Sequence, residues 1–564
     1  VPEALVTIRF GLMTGPESPR VLADALGRFV FVNVPPGRYG LLAEKMGYSS
    51  GWYGQRLPGL GSSAHLDLAD GQIQADVLVP VWKHGAISGT VTDEAGQPVV
   101  GVRVDGFRKV VTSGEVRLAP HDPNNETAIT DDRGMYRLSN LWPGEYAVAV
   151  ATTLTTFPAA TMAETQVTGA VRTQAFLALR DMPAPLGDAR SQQIGESVLL
   201  ATTQTAIPPS VGGEIPAVYR TTFSPGTPLP AEATVVALRS GDERTLNVAL
   251  RPSRAARVAG RLVGPDGPVS HAVVILLATG PWRFATSPAY GATARALTDA
   301  AGRFTFLGVP EGEYIFMTRT GDPQVGYVGA IEPVTVSGAD VVDLTVTAQR
   351  APRVTGRFDL RTGNPPESHV QAFGPLVLFV SGTPVDLGPY SFSLVPRGPE
   401  LRFEALVPPG RYTLTMASPE GAWCMSVLLR GRDIADEVFV VGSEDLDLTV
   451  ICGDATTRVR GTVRKDDGVV DADAAIVAFP VERTSWVGPA WRPRRFQSAT
   501  TDAAGGFTLV NLPAGEYFVA AIPISRSQLW QDPALLDTLT RAATRVSLTM
   551  SESRTVELRT VQIK

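Results

Sequence analysis

Two cysteines in 564 residues exclude a disulfide-dense scaffold. Histidine is nearly as scarce. His65, His84, His121, His271 and His369 are scattered along the chain with neither HxxE nor HExxH spacing, so no zinc site is spelled out. No GxxxxGK[ST] phosphate loop and no CxxC pair occurs. No stretch approaches the 18 or more apolar residues of a membrane span; runs such as "LVLFV" (376–380) are strand-sized. Charge of one sign is also missing. Fifty basic against 56 acidic residues leave a net −6, too mild for a broad nucleic-acid or anionic-lipid footprint. The expectation is a chain with no cofactor, no metal, no catalytic residues and no nucleic-acid partner.

What is abundant is punctuation. With 55 Gly and 45 Pro beside 44% hydrophobic residues, the composition is globular but hostile to long helices. One sentence recurs: "ADALGRFVFVNVPPGRYGLLA" (23–43), "TDDRGMYRLSNLWPGEYAVAV" (130–150), "TDAAGRFTFLGVPEGEYIFMT" (298–318) and "TDAAGGFTLVNLPAGEYFVAA" (501–521), with a looser copy, "LRFEALVPPGRYTLTMA" (401–417). Asp24, Asp131, Asp299 and Asp502 can hydrogen-bond the backbone two residues on, and the Gly three positions later supplies a turn with positive φ. Alternating apolar residues then read as a strand, and Pro-Gly ends it. Tyr39, Tyr146, Tyr314, Tyr412 and Tyr517 follow that corner, where a tyrosine hydroxyl can bond back to upstream backbone. Calcium at the Asp turns is the rival reading, but one carboxylate per turn falls short of the oxygen ligands calcium takes.

A second signature precedes the first in four places: "GAISGTVTDEAGQPVVGVRV" (85–104), "RVAGRLVGPDGPVSHAVVIL" (257–276), "RVTGRFDLRTGNPPESHVQA" (353–372) and "RVRGTVRKDDGVVDADAAIV" (458–477). The two signatures in this order resemble the carboxypeptidase regulatory-like domain, a transthyretin-like seven-stranded β-sandwich found in tandem in large exported proteins of environmental bacteria. The resemblance covers nearly the whole chain. It implies an all-β tandem array of five Ig- or transthyretin-like sandwiches, and it says little of function, because such domains accompany catalysis as modules.

Tyrosine spacing of about a hundred residues places the units at 1–83, 84–252, 253–349, 350–453 and 454–564, joined by linkers of a few residues. The second unit carries extra chain at about 153–218, rich in Ala, Thr, Ser, Gln and Pro and without sustained periodicity. A partly disordered surface insertion is expected there, with a partner-binding loop as the alternative. In "WQDPALLDTLTRAATRV" (530–546), Asp532 as cap, Pro533 in the first turn and Leu535, Leu536 and Leu539 on one face predict a short packed helix. Cys424 and Cys452 fall at two strands of the fourth unit. They are either a disulfide, stabilising by about 3 kcal/mol and suited to an exported protein, or two buried free thiols.

Two loops are candidates for contact. "TGPWRFATSPAYG" (279–291) carries Trp282, Arg283 and Tyr290. "ERTSWVGPAWRPRRFQS" (482–498) carries Trp486, Trp491, Arg492, Arg494, Arg495 and Phe496. Aromatic and arginine side chains anchor interfaces, and aromatic faces stack on sugars; the plainer alternative is a Trp-capped sandwich end with solvated arginines. The first ten residues match 267–277, the second strand of a unit, so the first unit starts without its first strand. Either upstream residues or a neighbouring copy supply it, and the second case predicts a filament. The sequence thus points to a non-enzymatic structural or adhesive protein, extracellular, at the cell surface or in the periplasm, whose partners are itself or a surface protein or glycan. A carbohydrate- or protein-binding array working through the Trp/Arg loops is the alternative.

Overall fold

A computed structural model of the chain describes residues 1–10, 18–58, 66–112, 114–120, 127–160, 190–201, 217–279, 292–322, 326–361, 379–384, 392–395, 397–398, 400–417, 423–453, 457–488, 494–549 and 551–563. Strands dominate, arranged as an all-β tandem array of sandwich domains. Five principal cores follow one another along the chain, drawn from residues 6–66, 87–250, 256–348, 354–452 and 459–558.

The turn grammar has a common geometry. Asp24, Asp131, Asp299 and Asp502 each accept two backbone N–H groups on one carboxylate oxygen, from the residues two and four positions on, at 2.7–2.9 Å. The glycines of these turns sit at φ between +69° and +77°, a region that penalises a side chain. The carboxylate oxygen is thereby occupied in closing the turn.

In the second through fifth units one strand is the spine of a sheet. Gly85–Thr92 pairs antiparallel with Met135–Leu141 and parallel with Glu243–Thr245 and Val248–Ala249. Pro252–Gly264 stands likewise between Arg303–Pro310 and Val341–Thr347. Arg353–Arg361 lies between Arg402–Leu406 and Leu446–Gly453. Arg458–Arg464 lies between Gly506–Val510 and Ser553–Arg559. A glycine in each spine explains the repeated signature. A Cβ on Gly89, Gly260, Gly356 or Gly461 would stand 1.8–2.0 Å from a carbonyl oxygen of the parallel neighbour.

The extra chain of the second unit departs from the expected surface insertion. Its described parts are strands that extend the third unit: Leu154–Pro158 pairs parallel with Ala292–Leu297, and Ser197–Ala201 and Arg190–Ile194 follow outward in the same sheet. Leu154, Ile194, Leu199 and Val218 pack with Leu307, so short apolar clusters buried against a neighbour replace the missing periodicity. The rest of that stretch, 161–189 and 202–216, lies outside the described residues.

The fifth unit carries a cover outside its main core. Its helix spans Pro533–Leu539, shorter than the helical-looking stretch. The Asp532 carboxylate accepts from Ala534 N, and Leu535, Leu536 and Leu539 are buried. They cover the outer face of strands Ala474–Pro480 and Gly515–Pro523, which explains why every residue of Ala474–Pro480 is buried. Cys424 and Cys452 are opposite one another on Trp423–Leu429 and Leu446–Gly453, disulfide-bonded and fully buried in the fourth core.

Candidate functional site

The loop of the fifth unit is where the predicted contact residues can be placed. It leaves strand Ala474–Pro480, makes a 3-10 turn at Arg483–Ser485 and returns as Gln497–Thr500. Trp486 and Phe496 do not present their rings to solvent as the contact reading expected. They are 4% and 5% exposed, packed with Phe479, Leu535, Leu536 and Leu539. Trp486 meets Phe479 edge-on at 5.5 Å and its indole Nε1 donates to Pro480 O at 2.8 Å. The reason is the apolar outer face made by Ala475, Val477, Phe479, Ala520 and Ile522: left bare it would cost the hydrophobic stabilisation of a whole sheet face.

The arginines reach sideways. Arg494 makes a forked pair with Asp436 of the fourth unit, at 2.6 and 2.9 Å, and also donates to Met425 O. Arg495 bonds Glu482 at 3.0 Å and lies over the Tyr517 ring at 5.5 Å. Asp433, Asp436, Glu482, Arg494 and Arg495 line a cleft of about 430 Å³ between the fourth and fifth cores. A bidentate guanidinium–carboxylate pair fixes orientation as well as proximity, so this cleft is built as a joint. Trp282, Arg283, Tyr290, Trp491 and Arg492 lie outside the described residues.

The corner tyrosines are buried. The hydroxyls of Tyr39, Tyr314, Tyr412 and Tyr517 each donate to the carbonyl four residues back, Pro35, Pro310, Pro408 and Pro513, at 2.7–2.9 Å. In the second unit that position is Trp142, and Tyr146 is fully buried. Burial pushes the Tyr314 hydroxyl up to about 12. It also raises that of Tyr517, with Arg495 pulling the other way. The Tyr314 phenol therefore stays a protonated donor at any physiological pH.

One catalytic spelling escaped the sequence reading. Gly47-Tyr48-Ser49-Ser50-Gly51 has the form of a nucleophile elbow. The geometry differs: Ser49 is 2% exposed on a two-residue strand paired with Trp82–Lys83, its Oγ donates to Trp82 O at 3.3 Å, and another strand, Gly51–Trp52, follows where an elbow needs a helix. Among the described residues no three His, Cys, Asp or Glu side chains converge as metal ligands. Among them, too, no helix is long and apolar enough to cross a membrane.

The first unit holds eight of the twenty large apolar side chains standing exposed among the described residues. Its larger sheet runs Arg20–Leu22, Leu5–Phe10, Gly37–Glu44 and Gly51–Trp52, with Leu66–Leu68 also on Gly37–Glu44, beside the short ladder of Tyr48–Ser49 with Trp82–Lys83. Residues 28–34 and 72–81, the counterparts of the strands that flank a spine elsewhere, carry no ladder.

No family model matches the chain, and no curated protein does. Solved structures with some likeness include a streptococcal ancillary pilin (12% identity over 57% of this chain and 76% of that one, TM-score 0.19). Two B repeat units of the collagen-binding protein of Staphylococcus aureus match at 10% identity over 78% and 93%, TM-score 0.14. The full-length pilus protein of Streptococcus pneumoniae matches at 9% over 85% and 98%, TM-score 0.15. Likenesses this faint carry no conclusion about role.

Proposed function

We propose that the chain is an exported, non-enzymatic array of carboxypeptidase regulatory-like sandwiches with a structural or adhesive role at the cell surface, able to assemble with further copies of itself. The observation that carries this reading is the use made of the Trp/Arg loop. Side chains suited to holding a ligand are instead spent on the fold: Trp486 and Phe496 on a sheet face, Arg494 on the neighbouring unit's Asp436. A chain that directs its most interactive residues to joints and caps is organised for span and shape. Among the described residues this loop presents no exposed aromatic ring on which a sugar could stack, since Trp486 and Phe496 are buried.

Immunogold labelling of source cells, combined with electron microscopy of the native material, tests this. Label outside the cytoplasmic membrane, on rods or filaments, is the expected result. Label confined to the cytoplasm, or turnover of a substrate by the purified chain, would overturn it.

A further inference from the structure

The Trp486 loop of the fifth unit runs between Ala474–Pro480 and Gln497–Thr500, which return to pair with each other. In the second unit the same place is taken by an arm. Strand Arg103–Thr112 pairs with Thr127–Ile129 through residues 103–105 and with Gly144–Val150 through 104–108, and then continues past both. Among the described residues, 109–112 pair only with 115–118, folded back through a turn that holds Gly114 at φ +81°. A two-stranded ribbon standing clear of its sheet is marginal in water.

The arm does not stand in water. A Cβ on Gly114 would lie 2.7 Å from Trp486 O, 2.8 Å from Val487 Cγ2 and 3.1 Å from Pro533 Cγ. The backbone of the turn is therefore seated on the fifth unit's loop and helix start, with no room for a side chain. Strand Arg103–Thr112 also lies against Ile524–Leu529, the 3-10 segment ahead of that helix. Arg117 of the arm, bonded to Glu115 at 2.8 Å, is 4% exposed, as a ribbon covered on one face requires.

This contact joins two units that have two others between them in the chain. Chain neighbours touch as well. Leu154–Pro158 of the second unit pairs with Ala292–Leu297 of the third, a Cβ on Gly329 of the third would stand 3.4 Å from Pro408 of the fourth, and Arg494 of the fifth holds Asp436 of the fourth. The second to fifth units thus close on themselves. The closing contact differs in kind from the other three. No short linker enforces it, and each side is folded by its own unit, the arm on its ladder and the seat on its apolar cluster, so opening it unfolds neither.

We propose that copies of the chain join through this contact, the arm of one copy seated on the Trp486 loop and helix of the next. A second copy carries the same arm and the same seat, so the fit seen within the chain is available between chains. The two surfaces differ from each other. An exchanged contact therefore leaves an arm at one end and a seat at the other, and growth is head to tail. Within one chain the seat meets its own arm at an effective concentration of roughly millimolar, which keeps dilute chains closed and lets crowded ones exchange. The proposal rests on reading the chain as one that assembles with its own copies, and it names the surfaces that do so.

The test is complementation between two full-length variants. Gly114→Asn blocks the arm: asparagine tolerates positive φ, and its side chain collides with Trp486 O and Val487. Loss of the arm itself would serve equally, since this variant is asked only for a working seat. Val487→Arg blocks the seat at a position that is 51% exposed, and leaves the buried cap in place. Each variant alone should sediment as an open monomer, more slowly than the unaltered chain, with amide exchange in Gly144–Val150 and Ala474–Pro480 unchanged. Mixed in equal amounts they should give a species of doubled mass, and the double variant should give none with either. The joint is overturned if each variant alone stays as compact as the unaltered chain, if the mixture remains monomeric, or if one variant alone doubles its mass as readily as the mixture. A doubled mass with the protein confined to the cytoplasm would discard the surface role and keep the joint. Filaments on cells without complementation would keep the role and discard the joint.

Discussion

The first and fifth units are written in the same grammar and finished to opposite degrees. In the fifth, strand Ala474–Pro480 is covered on both faces, by the sandwich core on one side and by the helix, Trp486 and Phe496 on the other. In the first, residues 28–34 and 72–81 carry no ladder, and the apolar side chains they turn to the core are only partly buried. Yet both keep the Asp turn and the tyrosine corner with the same hydrogen bonds. The corner and the turn are therefore local devices that form without those ladders, whereas full burial depends on the spine.

The widest gap between the two units should appear on truncating an aromatic residue. Trp486→Ala removes a ring from a closed face and should destabilise the fifth unit by about 3–5 kcal/mol, while Phe31→Ala in the open unit should cost about 1 kcal/mol. Unit-resolved hydrogen exchange in increasing denaturant would show it, and equal costs would mean the first unit is as well packed as the fifth.

Closure also permits a buried acid. Asp105 of the second unit is 2% exposed, bonded to Arg103 at 2.7 Å, and burial, partly offset by Arg103, raises its pKa to about 6. The folded state then holds the proton more tightly than the unfolded state does. Stability of the second unit should fall as pH rises from about 4 to about 6, by roughly 3 kcal/mol, and Asp105→Asn should flatten that slope. The open first unit offers the opposite sign. Backbone and side-chain hydrogen bonds from Arg28 lower the pKa of exposed Asp24, so its contribution is present above the ordinary carboxylate range and is lost as pH falls through the lowered value. Urea titrations of both units across pH 3–7 would check the two directions.

The smallest difference belongs to the corners. Tyr517→Phe should cost about 1.5 kcal/mol and Tyr39→Phe about 0.5 kcal/mol, since the former ring is fully buried and the latter is 8% exposed in the open unit. Matching values would show that the corner hydrogen bond is indifferent to closure.

Much of the fold was legible because its signals are local: an Asp two and four residues from its amides, a glycine beneath a carbonyl, a tyrosine four residues from a proline. The strands at 154–158 and 190–201 were not, because five-residue segments such as "LTTFP" and "SVLLA" have no period of their own and acquire strand pairing from the third unit. For Trp486 the sequence left two readings open, contact loop or cap of a sandwich end, and the structure has the cap. Loop membership suggested exposure, but Ala475, Val477 and Phe479 on the outward side of a strand already demanded a cover, and the helix Leu535, Leu536 and Leu539 with Trp486 provides it. The Arg494–Asp436 joint links residues 58 apart and depends on how two units meet, which no single repeat records.

The fourth unit has a built-in limit to how far it can stretch. The disulfide closes the segment between Cys424 and Cys452, a separation of 28 residues. If that unit is torn open by force, roughly 100 Å of contour stays locked behind the covalent bond. Its extension step should be shorter than that of a neighbour of similar length by that amount, and reduction should restore the difference, giving the array one bead whose yield is set by redox state.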